Sequence, residues 1–147
     1  MNKTGSPYNT ARKWLIFWTL FIGIGAVVGA VSMFLAPDGS ILHMQDMLPY
    51  FRKLPFADVL FRDYLFSGFA LLIVNGLTNL LAAVLLLRKK KRGVILGTIF
   101  GGTLMLWICI QFYMFPFNAL STAYFIFGLA QLVTGVIAWR LGNKEAE

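Results

Sequence analysis

The chain has 147 residues, one domain's worth, of which 59% are hydrophobic and only 13% charged, with a formal net charge of +7. Soluble domains run at ~45–50% apolar and ~25% charged, and a chain this poor in charge cannot cover its apolar surface in water. The basic residues stand beside long apolar runs, where positive charge reads as topology and lipid-headgroup contact, so no nucleic-acid partner is expected.

Residues 1–13 are polar and basic, and Gly5, Ser6 and Pro7 make them a poor helix former. The first apolar run, Trp14 to Leu35, is long enough to cross a hydrocarbon core of ~30 Å at ~1.5 Å per residue. It is too long for the apolar part of a signal peptide and meets Pro37-Asp38-Gly39 without a persuasive cleavage site, so it reads as a retained helix. The connection over 36–63 begins with the Asp38-Gly39 turn and Ser40, a helix-capping residue type. Ile41, Met44, Leu48 and Phe51 then recur at helical spacing, with His43, Gln45, Asp46 and Arg52 mostly on other faces and Pro49 breaking the middle. This predicts a short amphipathic segment on the outer leaflet, either a lid over a cavity or a connector whose apolar face rests in headgroups.

Further apolar runs complete four spans of about 14–35, 64–87, 94–115 and 120–139. The expected fold is all-α: a membrane-embedded four-helix transmembrane bundle forming a single domain. Lys3, Arg12 and Lys13 precede the first span, Arg88, Lys89, Lys90, Lys91 and Arg92 fill the turn over 88–93, and Arg140 and Lys144 follow the fourth span. The first connection instead sets Asp38, Asp46, Asp58 and Asp63 against Arg52, Lys53 and Arg62, and the third, around Pro116-Phe117-Asn118, carries no charge. The positive-inside rule therefore puts both termini and the basic turn in the cytoplasm. Trp14, Trp18 and Trp139 then belong at the inner interface, and Tyr64 and Tyr113 near the outer one. The run from Arg88 to Arg92 also offers anionic-lipid contact at ~1 kcal/mol per cation, although a turn on that side is basic in any case.

Each span carries one small or polar stripe, which lets backbones approach closely in lipid. Gly25 and Gly29 mark the first, Gly97 and Gly101 the third, and Gly128 and Gly135 the fourth. Asn75, Asn79, Gln111, Tyr124 and Gln131 form the candidate buried polar layer. Asn75 and Gln131 each lie about eleven residues in from the outer end, roughly 16 Å, and are expected at one level. Gln111 pairs in depth with Tyr124 nearer the surface, and Asn79 with Gly135 deeper.

No catalytic, metal-binding or cofactor-binding constellation emerges. Cys109 cannot form an internal disulfide and reads as a small core residue; His43 has no partner at metal-ligand spacing. The spans hold no ionisable side chain, whereas ion-coupled carriers usually place one within the membrane. Small multidrug-resistance transporters share the length and helix count, but their working acidic residue has no counterpart. Quinone-linked disulfide enzymes would need cysteine pairs, and the charge bias argues against the dual topology of fluoride channels. Enzyme chemistry is left only to Asp38, His43, Asp46 and Asp58 of the outer connection, whose spacing fixes no reaction geometry.

Leu35-Ala36-Pro37-Asp38-Gly39-Ser40, Leu54-Pro55-Phe56-x-Asp58, Gly68, Asn75-Gly76 and Trp107-Ile108 with Gln111 resemble a group of small uncharacterised bacterial four-helix integral membrane proteins. A more distant architectural likeness is to DoxX-type proteins. The resemblance implies a bacterial cytoplasmic (inner) membrane location and no transferable activity. Two functions remain: a non-enzymatic structural, accessory or partner-binding bundle, homo-oligomer included, or a carrier or binding protein for a neutral hydrophobic small molecule or lipid held between the polar helix faces.

Overall fold

The computed structural model describes residues 5–146; Lys3, counted above with the basic N-terminal flank, lies outside them. The described residues are all-helical: α1 (Pro7–Leu35), a 3-10 helix (Gln45–Lys53), a single turn α2 (Ala57–Leu60), α3 (Leu65–Leu87), α4 (Lys91–Met114) and α5 (Ala119–Ala146). Helices α1, α3, α4 and α5 are the four long and apolar enough to cross a membrane.

The helices outrun the apolar runs that announced them. α1 starts at Pro7 because Ser6 caps it, its Oγ accepting from the Asn9 amide at 3.2 Å, and Pro7 fills the first position, where no N–H is needed. Hydropathy marks where a helix is greasy, not where its backbone begins. Arg12 therefore stands inside α1, and its Nη1 donates to the Leu86 carbonyl at 3.5 Å, across at the C-terminal end of α3. A cation is favoured there by the partial negative charge at the C-terminal end of a helix. Lys91 and Arg92 likewise belong to the first turn of α4, which leaves a three-residue turn over 88–90 with Lys89 in the left-handed region.

The four long helices pack each against the next in sequence, with α5 closing onto α1. The short connections after α3 and α4 make those neighbours antiparallel, and α3 runs antiparallel to α1, Arg12 reaching Leu86 and Phe34 lying against Phe69, so the start of α1 and the end of α5 share one end of the bundle with the turn over 88–90. We call this the basic end and the opposite one the loop end. Ala11, Leu15, Leu86, Val94 and Ala138 form the core at the basic end, and Met33, Phe51, Tyr64, Met114 and Phe115 at the loop end. Between them lie Ile22, Leu104 and Ile108.

The closest backbone approach joins α4 to α5. A Cβ at Gly101 would lie 2.7 Å from the Leu132 nitrogen and 3.0 Å from the Gly128 carbonyl, and one at Gly135 would strike Thr98. Gly97 takes the Leu15 side chain from diagonally opposite α1. Gly25 and Gly29 serve differently from a close-contact pair. They are half-buried beside Tyr124 and Leu71, while Ile22, Ala26 and Ala30 form the buried face of α1.

The outside of the bundle is apolar all round: Val28 is 60% exposed, Ile73 56% and Leu106 68%. A continuous apolar exterior of this extent points to a membrane protein. Cys109 belongs to that exterior rather than to the core, since in a helix greasy on every side periodicity cannot tell the inner face from the outer.

Candidate functional site

The connection between α1 and α3 folds down onto the bundle. Gly39 adopts φ +83° and the Tyr64 ring packs directly against it, so close that a Cβ there would lie 2.6 Å from the ring. The Ser40 amide donates to Asp38 Oδ1 at 2.9 Å, and this bond holds the Asp38 carboxyl below its ordinary range. Tyr64 then ties the loop at two points: its amide donates to the Pro37 carbonyl at 2.9 Å and its hydroxyl to the Met44 carbonyl at 2.7 Å. Tyr64 is 1% exposed, so it is a buried anchor and not the interfacial residue its place in the sequence suggested. Burial pushes its hydroxyl up to about 12, because the phenolate would lose solvation there.

The amphipathic segment is a 3-10 helix with Pro49 inside it. Its three-residue repeat aligns Leu48 with Phe51. Met44, Leu48 and Phe51 pack on the helix ends, whereas Ile41 is left 51% exposed. Phe51 stacks on Phe61 at 4.9 Å and meets Tyr64 and Phe115 edge-on. The apolar face predicted for the outer leaflet is thus mostly spent on the protein itself.

Beneath this cover α3 and α4 diverge. At the basic end they are pinned by the three-residue turn and by Gly93, where a Cβ would lie 2.6 Å from the Leu86 nitrogen. α3 packs on α4 along Thr78–Leu87 but hardly touches it along Leu65–Leu71. The change falls at Leu72–Leu77, which is wound as a π-helix, a widened turn frequent at functional sites. The wedge between the helices holds a chamber of about 380 Å3, lined by Tyr64, Phe66, Ser67, Ala70 and Leu71 of the α3 side, Trp107, Ile110, Gln111, Met114 and Phe115 of the α4 side, Met33 of α1, and Met44, Phe51, Leu54, Pro55, Phe56, Leu60 and Phe61 of the cover.

Among the described residues no charged side chain lines the chamber. Ser67 is 8% exposed and its hydroxyl has no hydrogen-bond partner. The cause is local. Hydroxyls deep in helices donate to the carbonyl four residues back, as Thr19 does to Leu15 at 3.0 Å and Thr98 to Val94 at 2.7 Å. Ser67 stands in the first turn of α3, so its counterpart, Asp63, lies before the capping residue Tyr64, one position further out than the Asn118 carbonyl that serves Thr122 in α5. Ser121, at the same stage of α5, solves this by donating to Gln111 Oε1 at 3.0 Å. That bond occupies the Gln111 carbonyl oxygen and leaves its amide nitrogen, like the Trp107 indole N–H, without a hydrogen bond on the chamber wall.

Asn75, Asn79 and Gln131 of the predicted polar layer lie deeper, toward the basic end. Gln131 Nε2 donates to Asn79 Oδ1 at 2.8 Å and to the Gly97 carbonyl at 2.6 Å, and Asn79 Nδ2 donates to the Asn75 carbonyl at 2.8 Å. Gln131 therefore pairs with Asn79, one turn beyond the expected Asn75. The π-helical turn at Leu72–Leu77 alters the rise of α3 just before Asn79. Asn75 is 1% exposed with both side-chain polar atoms unpartnered. Gln111 meets Ser121, and the Tyr124 ring packs beside Phe127 with its hydroxyl toward Gly25. Gly135 meets Thr98.

Of the layer residues only Gln111 lines the chamber. Sequence reasoning passed over Ser67; the available signal was a hydroxyl in a first helical turn, behind residues unable to supply the usual carbonyl. Among the described residues no three His, Cys, Asp or Glu side chains gather as a metal site. No protein-family model, curated protein or solved structure matches the chain.

Proposed function

We propose that this chain is a non-enzymatic, multi-pass protein of a bacterial cytoplasmic membrane that holds an uncharged, largely apolar small molecule or lipid in the chamber between α3 and α4. The observation that carries this reading is the chamber itself. Its volume, about 380 Å3, lies within the ~300–1,000 Å3 of ligand pockets. Its wall is aliphatic and aromatic, and the polar groups it leaves without a hydrogen bond are Ser67 Oγ, the Gln111 amide nitrogen and the Trp107 indole N–H. A charged ligand would lose its hydration there with no counter-charge in reach, a penalty of several kcal/mol. The chamber favours a binding role over a purely structural or partner-binding one.

Both termini and the turn over 88–90 lie on the cytoplasmic side in this reading. Arg12, Lys13, Arg88, Lys89, Lys90, Lys91, Arg92, Arg140 and Lys144 share the basic end, whereas the loop end balances its cations with aspartates. The cover over the chamber then faces outward. Anionic headgroups would contact Arg88 to Arg92.

Mass spectrometry of the protein purified in mild detergent tests the binding role. The wild type should release a reproducible uncharged molecule, and Ala70→Trp, which fills the chamber, should abolish it while keeping or raising thermal stability. An empty wild type, or retention unchanged in Ala70→Trp, would overturn the reading.

A further inference from the structure

The chamber has a side door. Phe66 of α3 and Ile110 of α4 both line it and are also 41% and 50% exposed on the bundle exterior, on the side where the two helices fail to meet. Phe56 also lines the chamber while 74% exposed, and is held at φ 60°, in the left-handed region that a bulky side chain rarely adopts. Toward the loop end, by contrast, the stacked pair Phe51–Phe61 and the Phe115 ring cover the hollow. The route with least protein across it runs sideways, between two helices whose outer faces are apolar.

The depth of two free polar groups narrows the occupant. Ser67 lies in the first turn of α3 and Gln111 one turn before the end of α4, each within roughly one helical pitch, ~5 Å, of the loop end. In a bilayer that is the level where hydrocarbon gives way to the polar interface. The Ser67 hydroxyl, more than nine-tenths buried and unpartnered, and the Gln111 amide can both donate. They would satisfy one uncharged oxygen acceptor at that level, with an apolar chain running deeper along Ala70, Leu71 and Trp107.

Resting on the binding role above, we propose that the chamber is loaded sideways from the bilayer by a long-chain lipid, whose uncharged ester or hydroxyl oxygen is received by Ser67 and Gln111. Two sources share this chemistry, a phospholipid acyl ester and a single-chain alcohol, and the probes tell them apart.

The test is photolabelling of the full chain in phosphatidylcholine vesicles, with a diazirine at mid-chain of a phosphatidylcholine, a long-chain alcohol or a plain alkane, and mapping by peptide mass spectrometry. Met33 and Met114, 9% and 5% exposed, report the interior, and Phe69 and Leu106, 54% and 68% exposed, report ordinary lipid contact. At least one oxygen-bearing probe should label Met33 and Met114 several-fold more than the alkane does, and which one does so identifies the source. Ser67→Ala should remove that preference, and Ile110→Trp, which narrows the door, should cut interior labelling at least fivefold with Phe69 and Leu106 unchanged.

Interior labelling by the alkane equal to that of both oxygen probes would overturn the oxygen contact. Interior labelling unaffected by Ile110→Trp would overturn the lateral route. Labels confined to Phe69 and Leu106, from a protein that still co-purifies with a reproducible molecule, would leave the binding role standing and remove the lipid inference alone.

Discussion

Gly101→Ala probes the seam between α4 and α5. The added methyl carbon would sit 2.7 Å from the Leu132 nitrogen, 3.0 Å from the Gly128 oxygen and 3.1 Å from the Leu132 α-carbon. All three neighbours are backbone, so no side chain can swing aside. Ordinary contact begins near 3.4 Å, and 3.4 − 2.7 gives a shift of 0.7 Å by which the helices must part. Overpacking of this kind costs about 1–3 kcal/mol, partly offset by the gain of ~1 kcal/mol in helix propensity on replacing glycine. Gly102, the next residue, supplies the control: a Cβ there meets nothing within 4 Å. Gly102→Ala should therefore be neutral or slightly stabilising, and Gly101→Ala should melt several degrees lower, at about 2–4 °C per kcal/mol for a chain of this size. Thermal unfolding of both variants in the same detergent reads the difference. Equal melting temperatures would refute the backbone contact, and with it the account of how α5 is held.

Gln131→Leu should cost about 1 kcal/mol, near the upper part of the range for hydrogen bonds between membrane helices, because it strands the buried Asn79 oxygen. Adding Asn79→Leu should recover part of that loss in a double-mutant cycle. Tyr64→Phe, which deletes the 2.7 Å bond to the Met44 carbonyl, should make the connection over 36–64 easier to cleave by protease. The pH dependence of the cover follows from the same residue. The folded state favours the protonated phenol, so its contribution is fully present below the unfolded value near 10 and is lost as pH rises through about 12. Protease resistance of the loop should hold to about pH 10 and fall above it in the wild type, with no such fall in Tyr64→Phe. In a Cys109→Ser background, Ser40→Cys and Asn118→Cys should react with an impermeant thiol reagent outside intact cells. Lys90→Cys should react only after the cells are opened; labelling from outside would reverse the orientation.

The sequence by itself determined the number of long helices, their order, and the end on which the cations gather. These depend on the composition of each segment alone: an apolar run longer than a bilayer is thick, or a basic turn, keeps its meaning whatever packs beside it. It also marked Asn79 and Gln131 as helix-facing, because amides stand out in segments otherwise free of polar groups. Only the tertiary structure decided which amide meets which. The π-helical turn at Leu72–Leu77 breaks the uniform rise on which any count of depth relies, and no residue there announces it. The fates of Tyr64 and Cys109 were equally out of reach, since a greasy helix looks alike on every face until its neighbours are in place. The chamber is the extreme case. It is a gap where two helices pinned at Gly93 fail to meet, and a gap between segments distant in the chain is a property of their angle, which no single segment encodes.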